Sequence, residues 1–386
     1  MHHLFSGLRP TLFATWKRAI CVGLSATIAA GNIATAADNV TATNGIALLA
    51  GKKGVWLNIS EGLLADFATH KVNPIIKFKY DSTNGAGVCG ILADRSLPGP
   101  LVIIQGQGVW QTELTPPGVF RRMDGGAYDG FYENAGPDID PAGGGVCLFS
   151  IQGATTNSTC AISNNREVCW RALTTDQQAF GYDVGAVDWG ETNTLALTIL
   201  AKKHHNGDLV LSRDGGLTWT LLGKAESRIV LLGVIGKDVL LKGIRGNPET
   251  AGLYRSMDAG TNWSRVAECA FSRIGHAVVL HDVAYLTTAK GILTSTDKGE
   301  HWALPGEEQE GFLGPVMFGN EEKHMMVYGR RGFFESKDAG KTWSLAVPFG
   351  EDPAMRSGRF EYGSWDPKTD CFYLTHIGGQ AYVFRR

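Results

Sequence analysis

The chain writes one eight-residue phrase four times, and that repetition restricts its fold more than any other feature. The copies are SRDGGLTW at 212–219, SMDAGTNW at 256–263, STDKGEHW at 295–302 and SKDAGKTW at 336–343. All four fit Ser-x-Asp-x-Gly-x-x-Trp, and successive Trp residues lie 44, 39 and 41 positions apart. A fixed period near 40 residues with constant punctuation marks repeated supersecondary units. Each copy follows a short apolar alternation such as GLYRS or GFFES and leads into another such as WSRVAE or WSLAVP, so the octet reads as a strand–turn–strand. In that turn Asp214, Asp258, Asp297 and Asp338 accept backbone N–H bonds. The Gly takes a backbone angle that a Cβ would penalise, and Trp219, Trp263, Trp302 and Trp343 supply large apolar surface. Four carboxylates in register are structural groups, because catalytic groups do not repeat identically around a fold.

Between octets the pattern repeats with few changes. After Trp219 come TLL, a polar loop, IVLLGVIG, a tight KD turn, VLLKGI and GLYRS. The next unit runs SRVAE, HAVVL, VAYLTT and GILTS, and the one after it ALP, PVMFG, MMVYG and GFFES. Four short strands per unit of about 40 residues, arranged radially, make an all-β β-propeller. Weaker copies extend the series. SNNREVCW at 163–170 keeps Ser163, Asn165 and Trp170, and GPLVIIQGQGVWQTEL has the strand–loop–strand look without an octet. The first innermost strand is read as IIKFKYD at 75–81. The C-terminal stretch from Ser357 supplies three strands, and the N-terminal IALLAGKKGVWLNIS offers the fourth, closing the ring without a free sheet edge. The count favours seven blades, with eight or six as alternatives.

The first 36 residues read differently. Lys17 and Arg18 precede the apolar run AICVGLSATIAAGNIA, and ATA at 34–36 offers small residues for cleavage after Ala36, the pattern of a secretory signal peptide. Residues 37–386 then form a single propeller domain, expected to be a secreted or periplasmic monomer with no membrane span. Losing Arg9, Lys17 and Arg18 leaves 33 basic and 38 acidic residues, a formal charge of −5, which gives no global attraction for nucleic acid. Cys89, Cys147, Cys160, Cys169, Cys269 and Cys371 remain, an even count that permits three disulfides in an exported chain, with a local bridge among Cys147, Cys160 and Cys169 favoured. No pair has CxxC spacing, so no metal site and no cofactor is expected.

The four octets resemble Asp boxes, the bacterial neuraminidase repeats of sialidases. Similar boxes occur in xyloglucanases, sortilin-type receptors and photosystem II assembly factors. The resemblance is strong over about 130 residues and loose over perhaps 340. It implies a propeller with octets on the outer rim of one face and a ligand site around the channel on the other. Loops joining second to third strands on that other face include KKHHNG at 202–207, RGNPETAG at 245–252 and RRG at 330–332, which gather His204, Arg245 and Arg330. Arg228, Arg273 and Arg359 each precede an innermost strand in its own unit. Such basic focusing on an acidic chain suits an anionic ligand, and Arg forks match carboxylates.

The sialidase resemblance further implies three Arg on a substrate carboxylate, a Tyr–Glu nucleophile and an Asp acid. Tyr362, Glu310 and Asp183, with Asp129 as a substitute for the last, occupy compatible positions, while the family's early Arg-Ile-Pro motif has no counterpart here. The expected partner is an anionic saccharide, processed by glycoside hydrolase or polysaccharide lyase chemistry if the protein is an enzyme. The alternative is a protein partner bound without catalysis.

Overall fold

The computed structural model describes residues 53–59, 88–95, 99–104, 108–112, 120–122, 137–148, 160–164, 170–173, 179–190, 194–201, 208–216, 218–223, 229–246, 249–269, 275–350, 355, 360–376 and 380–386. They form seven sheets that follow one another along the chain, antiparallel but for one added strand. The first contains β2 (Val88–Leu92), β3 (Leu101–Ile104), β4 (Gly108–Thr112) and β5 (Phe120–Arg122). The second contains β6 (Asp138–Ile139), β7 (Gly145–Leu148), β8 (Cys160–Asn164) and β9 (Trp170–Leu173). The third contains β10 (Ala179–Val187), β11 (Leu195–Ala201), β12 (Asp208–Ser212) and β13 (Thr220–Gly223). The fourth contains β14 (Ile229–Ile235), β15 (Val239–Ile244), β16 (Gly252–Ser256) and β17 (Ser264–Ala267), with β18 (Gly275–His276) added in parallel on β14.

The fifth sheet contains β19 (Val278–Leu280), β20 (Val283–Thr288) and β21 (Gly291–Ser295), and a bridge between Thr294 and Ala303 stands where a fourth strand would. The sixth contains β22 (Met317–Phe318), β23 (Met325–Tyr328), β24 (Gly332–Ser336) and β25 (Ser344–Pro348). In the last, β26 (Phe360–Asp366), β27 (Cys371–His376) and β28 (Gln380–Arg385) are completed by β1 (Leu57–Asn58), so strands from both ends of the chain share one sheet.

Apolar side chains between the sheets explain why they stay side by side. Ala186 and Leu209 of the third pack with Leu232 and Leu240 of the fourth. Val230 and Leu241 of the fourth meet Ala277 and Leu286, Val278 and Leu280 of the fifth meet Phe318 and Met325, and Tyr328 and Phe333 of the sixth meet Trp365 and Phe372. Burial of such surfaces stabilises by roughly 25 cal/mol per Å². Between last and first sheets, Ser364 Oγ donates to Ile91 O at 2.6 Å and accepts from Ala93 N at 3.2 Å. The neighbours therefore run in a closed cycle. The innermost strand of the first sheet is β2 rather than the IIKFKYD stretch, which lies outside the described residues.

The four octets occupy the turns between third and fourth strands and share one hydrogen-bond scheme. In the last, Asp338 Oδ1 accepts from Ser336 Oγ at 2.8 Å and Thr342 N at 2.9 Å, Asp338 Oδ2 accepts from Thr342 Oγ1 at 2.6 Å, and Ser336 Oγ accepts from Gly340 N at 2.8 Å. The corresponding bonds hold Asp214, Asp258 and Asp297. The Trp263, Trp302 and Trp343 indoles donate to the octet glycine carbonyl at 3.0, 3.0 and 3.1 Å. Trp219 Nε1 is buried without a hydrogen-bond partner among the described residues. These turns lie at the same end of the sheets as the turns joining first to second strands, here called the octet end.

The cysteines correct one expectation. Cys269 and Cys371 carry free thiols, so a framework of three disulfides using all six cysteines is not formed. Burial raises the Cys269 thiol to about 11 and also raises Cys371, which suppresses thiolate chemistry at both. The side chains of Cys89, Cys160 and Cys169 lie outside the described residues. Among the described residues no helix is long and apolar enough to cross a membrane.

Candidate functional site

Two cavities open at the octet end of the ring, where innermost strands finish and turn outward, and a third, about 520 Å³, lies between the outer strands of the sixth and last sheets against Trp56, Pro348 and Phe384. The wider of the two octet-end cavities, about 380 Å³, lies between the ends of β6, β10, β14 and β19 and is bordered by Asp140, Asp188, Trp189, Val278, His281 and Asp282. A narrower one beside it is bordered by Arg95, Asp140, Phe318, Tyr362 and Trp365. Asp140, Pro141 and Val278 belong to both walls.

Sequence places these groups through short turns. After β6 the run Asp-Pro-Ala-Gly-Gly reverses the chain, with Gly143 and Gly144 at φ 88° and 104°, angles that favour glycine. Asp140 closes the turn by accepting Ala142 N at 2.8 Å. Asp94, just past β2, accepts Gly144 N with both carboxylate oxygens at 3.1 Å, which ties the first sheet to the second. Asp138 ties the second to the third, accepting Val187 N at 2.7 Å and Trp189 Nε1 at 2.9 Å. Both acids are buried, and buried carboxylates persist only with such partners. Between β19 and β20, His281 and Asp282 make a two-residue hairpin with φ of 47° and 65°, the left-handed pair that matches strand twist.

Arg95 reaches across this end of the ring. Its Nε donates to Ala142 O at 3.0 Å and its Nη1 to Gly319 O at 3.1 Å, joining turns from the first, second and sixth sheets. Asp140 is the perturbed acid of the site. Burial raises its pKa to about 6, the Ala142 N–H opposes that shift, Asp94 and Asp138 add to it, and Arg95 opposes it. A carboxyl titrating there can exchange a proton near neutral pH, as general acids and bases do. Among the described residues no three His, Cys, Asp or Glu side chains are arranged to hold a metal ion.

The sequence-predicted residues are only partly brought together. Tyr362 is buried and faces the narrower cavity, and burial, with Tyr328 and Asp138, pushes its phenol well above the ordinary value. Glu310 is exposed and borders neither cavity. Asp183 sits in the bulged part of β10, and its side chain lies outside the described residues. Arg245 and Arg330 are exposed at the end opposite the octets, in loops between second and third strands. Arg228, Arg273, Arg359, His204 and Asp129 lie outside the described residues. Sequence reading missed Arg95, Asp140, Asp188 and Trp189. The available signal was an Asp directly after the last residue of an innermost strand, Asp140 after Ile139 and Asp188 after Val187.

No family model matches the chain, and no curated protein matches it. Among solved structures, a Niastella koreensis GH74 enzyme is similar with a TM-score of 0.51 at 14% identity, over 77% of this chain and 52% of the enzyme. YCF48 from Cyanidioschyzon merolae is similar with a TM-score of 0.46 at 11% identity, over 86% of this chain and 99% of its own. This chain thus spans about half the length of the GH74 enzyme. At such identities the likeness is one of fold, and with the closed cycle of antiparallel sheets it makes the chain a β-propeller.

Proposed function

We propose that this chain is an exported propeller of the Asp-box type that binds an anionic extracellular glycan at the end opposite the octets. The observation that carries the reading is the position of Arg245, Arg330 and Arg331. All three are exposed on loops between second and third strands, on a chain whose total charge is negative. At that end Lys290 is paired with Glu308 and lies near Glu310, and the guanidinium forks of the three arginines fit carboxylate and sulfate groups. A glycan array probed with the mature protein tests this. Carboxylated or sulfated glycans should be retained, and the double variant Arg330→Ala with Arg331→Ala should lose about tenfold in affinity, roughly 1.4 kcal/mol. Equal retention of neutral and anionic glycans would overturn the reading.

Binding without catalysis is favoured by one specific observation. Tyr362 is buried against the channel cavity, whereas Glu310 is exposed and outside it. A Tyr–Glu nucleophile requires the two within hydrogen-bond reach. An absence of hydrolysis of sialosides by the folded protein is the expected result.

A further inference from the structure

We propose that the octet-end mouth of the channel is a second ligand site, built for one neutral sugar unit. The wider octet-end cavity, about 380 Å³, falls within the roughly 300–1,000 Å³ typical of small-ligand clefts. Its floor is apolar, made by Val187, Ile235, Val278 and Leu280, and its rim carries Trp189 beside Asp140 and Asp188. A pyranose presents C–H faces that suit an indole, and hydroxyl donors that suit carboxylates, which only accept.

The wall is held in place before any ligand arrives. Trp189 is fixed by its bond to Asp138 at 2.9 Å, and its ring lies where a Cβ on Gly145 would stand 2.3 Å away. Asp188 Oδ1 accepts Gly190 N at 3.2 Å and Asp140 accepts Ala142 N at 2.8 Å, so both carboxylates are oriented by their own turns. Such second-layer support is what keeps a binding geometry within tolerance.

Charge selects among ligands. Asp94 and Asp138 stand behind Asp140, Asp188 and Asp282 border the same mouth, Arg95 opposes them at Asp140, and His281 on the border is paired with Glu322 at 2.7 Å. An anionic sugar is repelled there. A compact cation needs acceptors that converge on one point, and no three acids or histidines among the described residues do so. Dispersed acceptors around an apolar floor suit dispersed hydroxyls. The two ends of the channel thus have opposite preferences, and the two sites stand or fall separately.

The test uses the mature protein, with methyl glucoside, methyl galactoside, methyl mannoside and methyl xyloside as neutral probes, glucuronate as the anionic probe and cadaverine as the cationic one. The Trp189 indole N–H resonance, assigned with Trp189→Phe, reports binding. At least one glycoside should shift it saturably with Kd on the order of millimolar. Asp188→Asn should weaken that binding about tenfold without changing the denaturation midpoint, and Asp140→Asn should weaken it by a similar factor. Arg330→Ala should leave it unchanged. No shift with any glycoside, stronger binding of cadaverine, or equal binding of glucuronate would each overturn the proposal. Loss of array binding in the Arg330 variant with glycoside binding intact would show that the two ends are independent.

Discussion

The indole N–H of Trp189 donates to Asp138 Oδ1 at 2.9 Å, while Oδ2 of the same carboxylate takes the Val187 N–H at 2.7 Å. One buried side chain on the second sheet thereby satisfies two donors on the third. Removing it leaves both donors without that acceptor. Asp138→Ala should cost about 2–4 kcal/mol, the sum of two such losses at roughly 1–3 kcal/mol each with partial relaxation. Urea denaturation measures the cost, and a change below about 0.5 kcal/mol would show that water replaces the carboxylate without penalty.

The octet carboxylates make stability fall in acid. The Asn262 backbone N–H and side-chain amide hold Asp258 at about 2, and the Thr342 hydroxyl and backbone N–H hold Asp338 at about 2. Asp297 is lowered too, first by the His301 backbone N–H. These folded values lie below the unfolded ones. Their contribution is therefore full above the unfolded pKa near 4 and is lost as pH falls towards about 2. The denaturation midpoint should drop between pH 5 and pH 2.5, and Asp338→Asn should flatten the profile. An unchanged slope in that variant would separate the octet from acid sensitivity.

Asp140 acts in the opposite sense. Burial raises its folded pKa to about 6, above the unfolded value of 3.8, with Asp94 and Asp138 adding and the Ala142 N–H and Arg95 opposing. Stability from this group is full below the unfolded pKa and is lost as pH rises through about 6. Asp140→Asn should therefore be less stable than wild type relative to its own pH 7.5 value when compared at pH 4.5, meaning a smaller gain on acidification over that window. Parallel pH profiles for the two proteins would refute the assignment.

The octet consensus was legible as a turn, and its glycine does take φ of 77° to 88° in all four copies. Two features of it were not. Position seven, written as any residue, is Thr218, Asn262, His301 or Thr342, and each side chain meets the outer carboxylate oxygen at 2.6 or 2.7 Å. The shared property is a polar atom at a fixed reach, which letter identity conceals. Position four is left-handed in every copy although only Gly215 is glycine there. The strands were readable because apolar alternation is local. Asp94, Asp138 and Asp140 were not, because their roles depend on which sheets become neighbours, which no window of 40 residues contains.

That strained fourth position gives a stabilising substitution. Ala339 sits at φ 59° immediately before Gly340 at φ 82°. A Cβ in the left-handed region costs roughly 1–2 kcal/mol, offset in part by the larger chain entropy that glycine loses on folding. Ala339→Gly should raise stability by about 0.5–1 kcal/mol, bringing this octet to the composition of the one at Gly215 and Gly216. A loss of stability would mean that the Cβ is relaxed by the turn's hydrogen bonds.

Arg386 fastens the last sheet to the sixth. Its Nη2 donates to Glu335 Oε1 at 3.0 Å, and its Nε donates to Asp370 Oδ2 at 2.7 Å. Glu335 is buried at 8% exposure and also meets His324 Nε2 at 2.8 Å. Burial by itself would raise the Glu335 pKa, yet the hydrogen bonds from Arg386 and His324 and the charges of Arg386 and Lys337 bring it down to about 2. Without the guanidinium the desolvation cost of Glu335 is left to His324 and to a Lys337 ammonium 3.6 Å away. A fully buried pair broken from one side costs roughly 3–5 kcal/mol. Because the Arg386 side chain is 35% exposed, water takes up part of that loss, and Arg386→Ala should destabilise by about 1–3 kcal/mol. The double change Arg386→Ala with Glu335→Gln removes the stranded charge and should recover at least half of it. Failure of that second change to restore stability would place the role of Arg386 in packing over Phe372, whose ring centroid lies 5.7 Å from its guanidinium carbon, rather than in the ion pair.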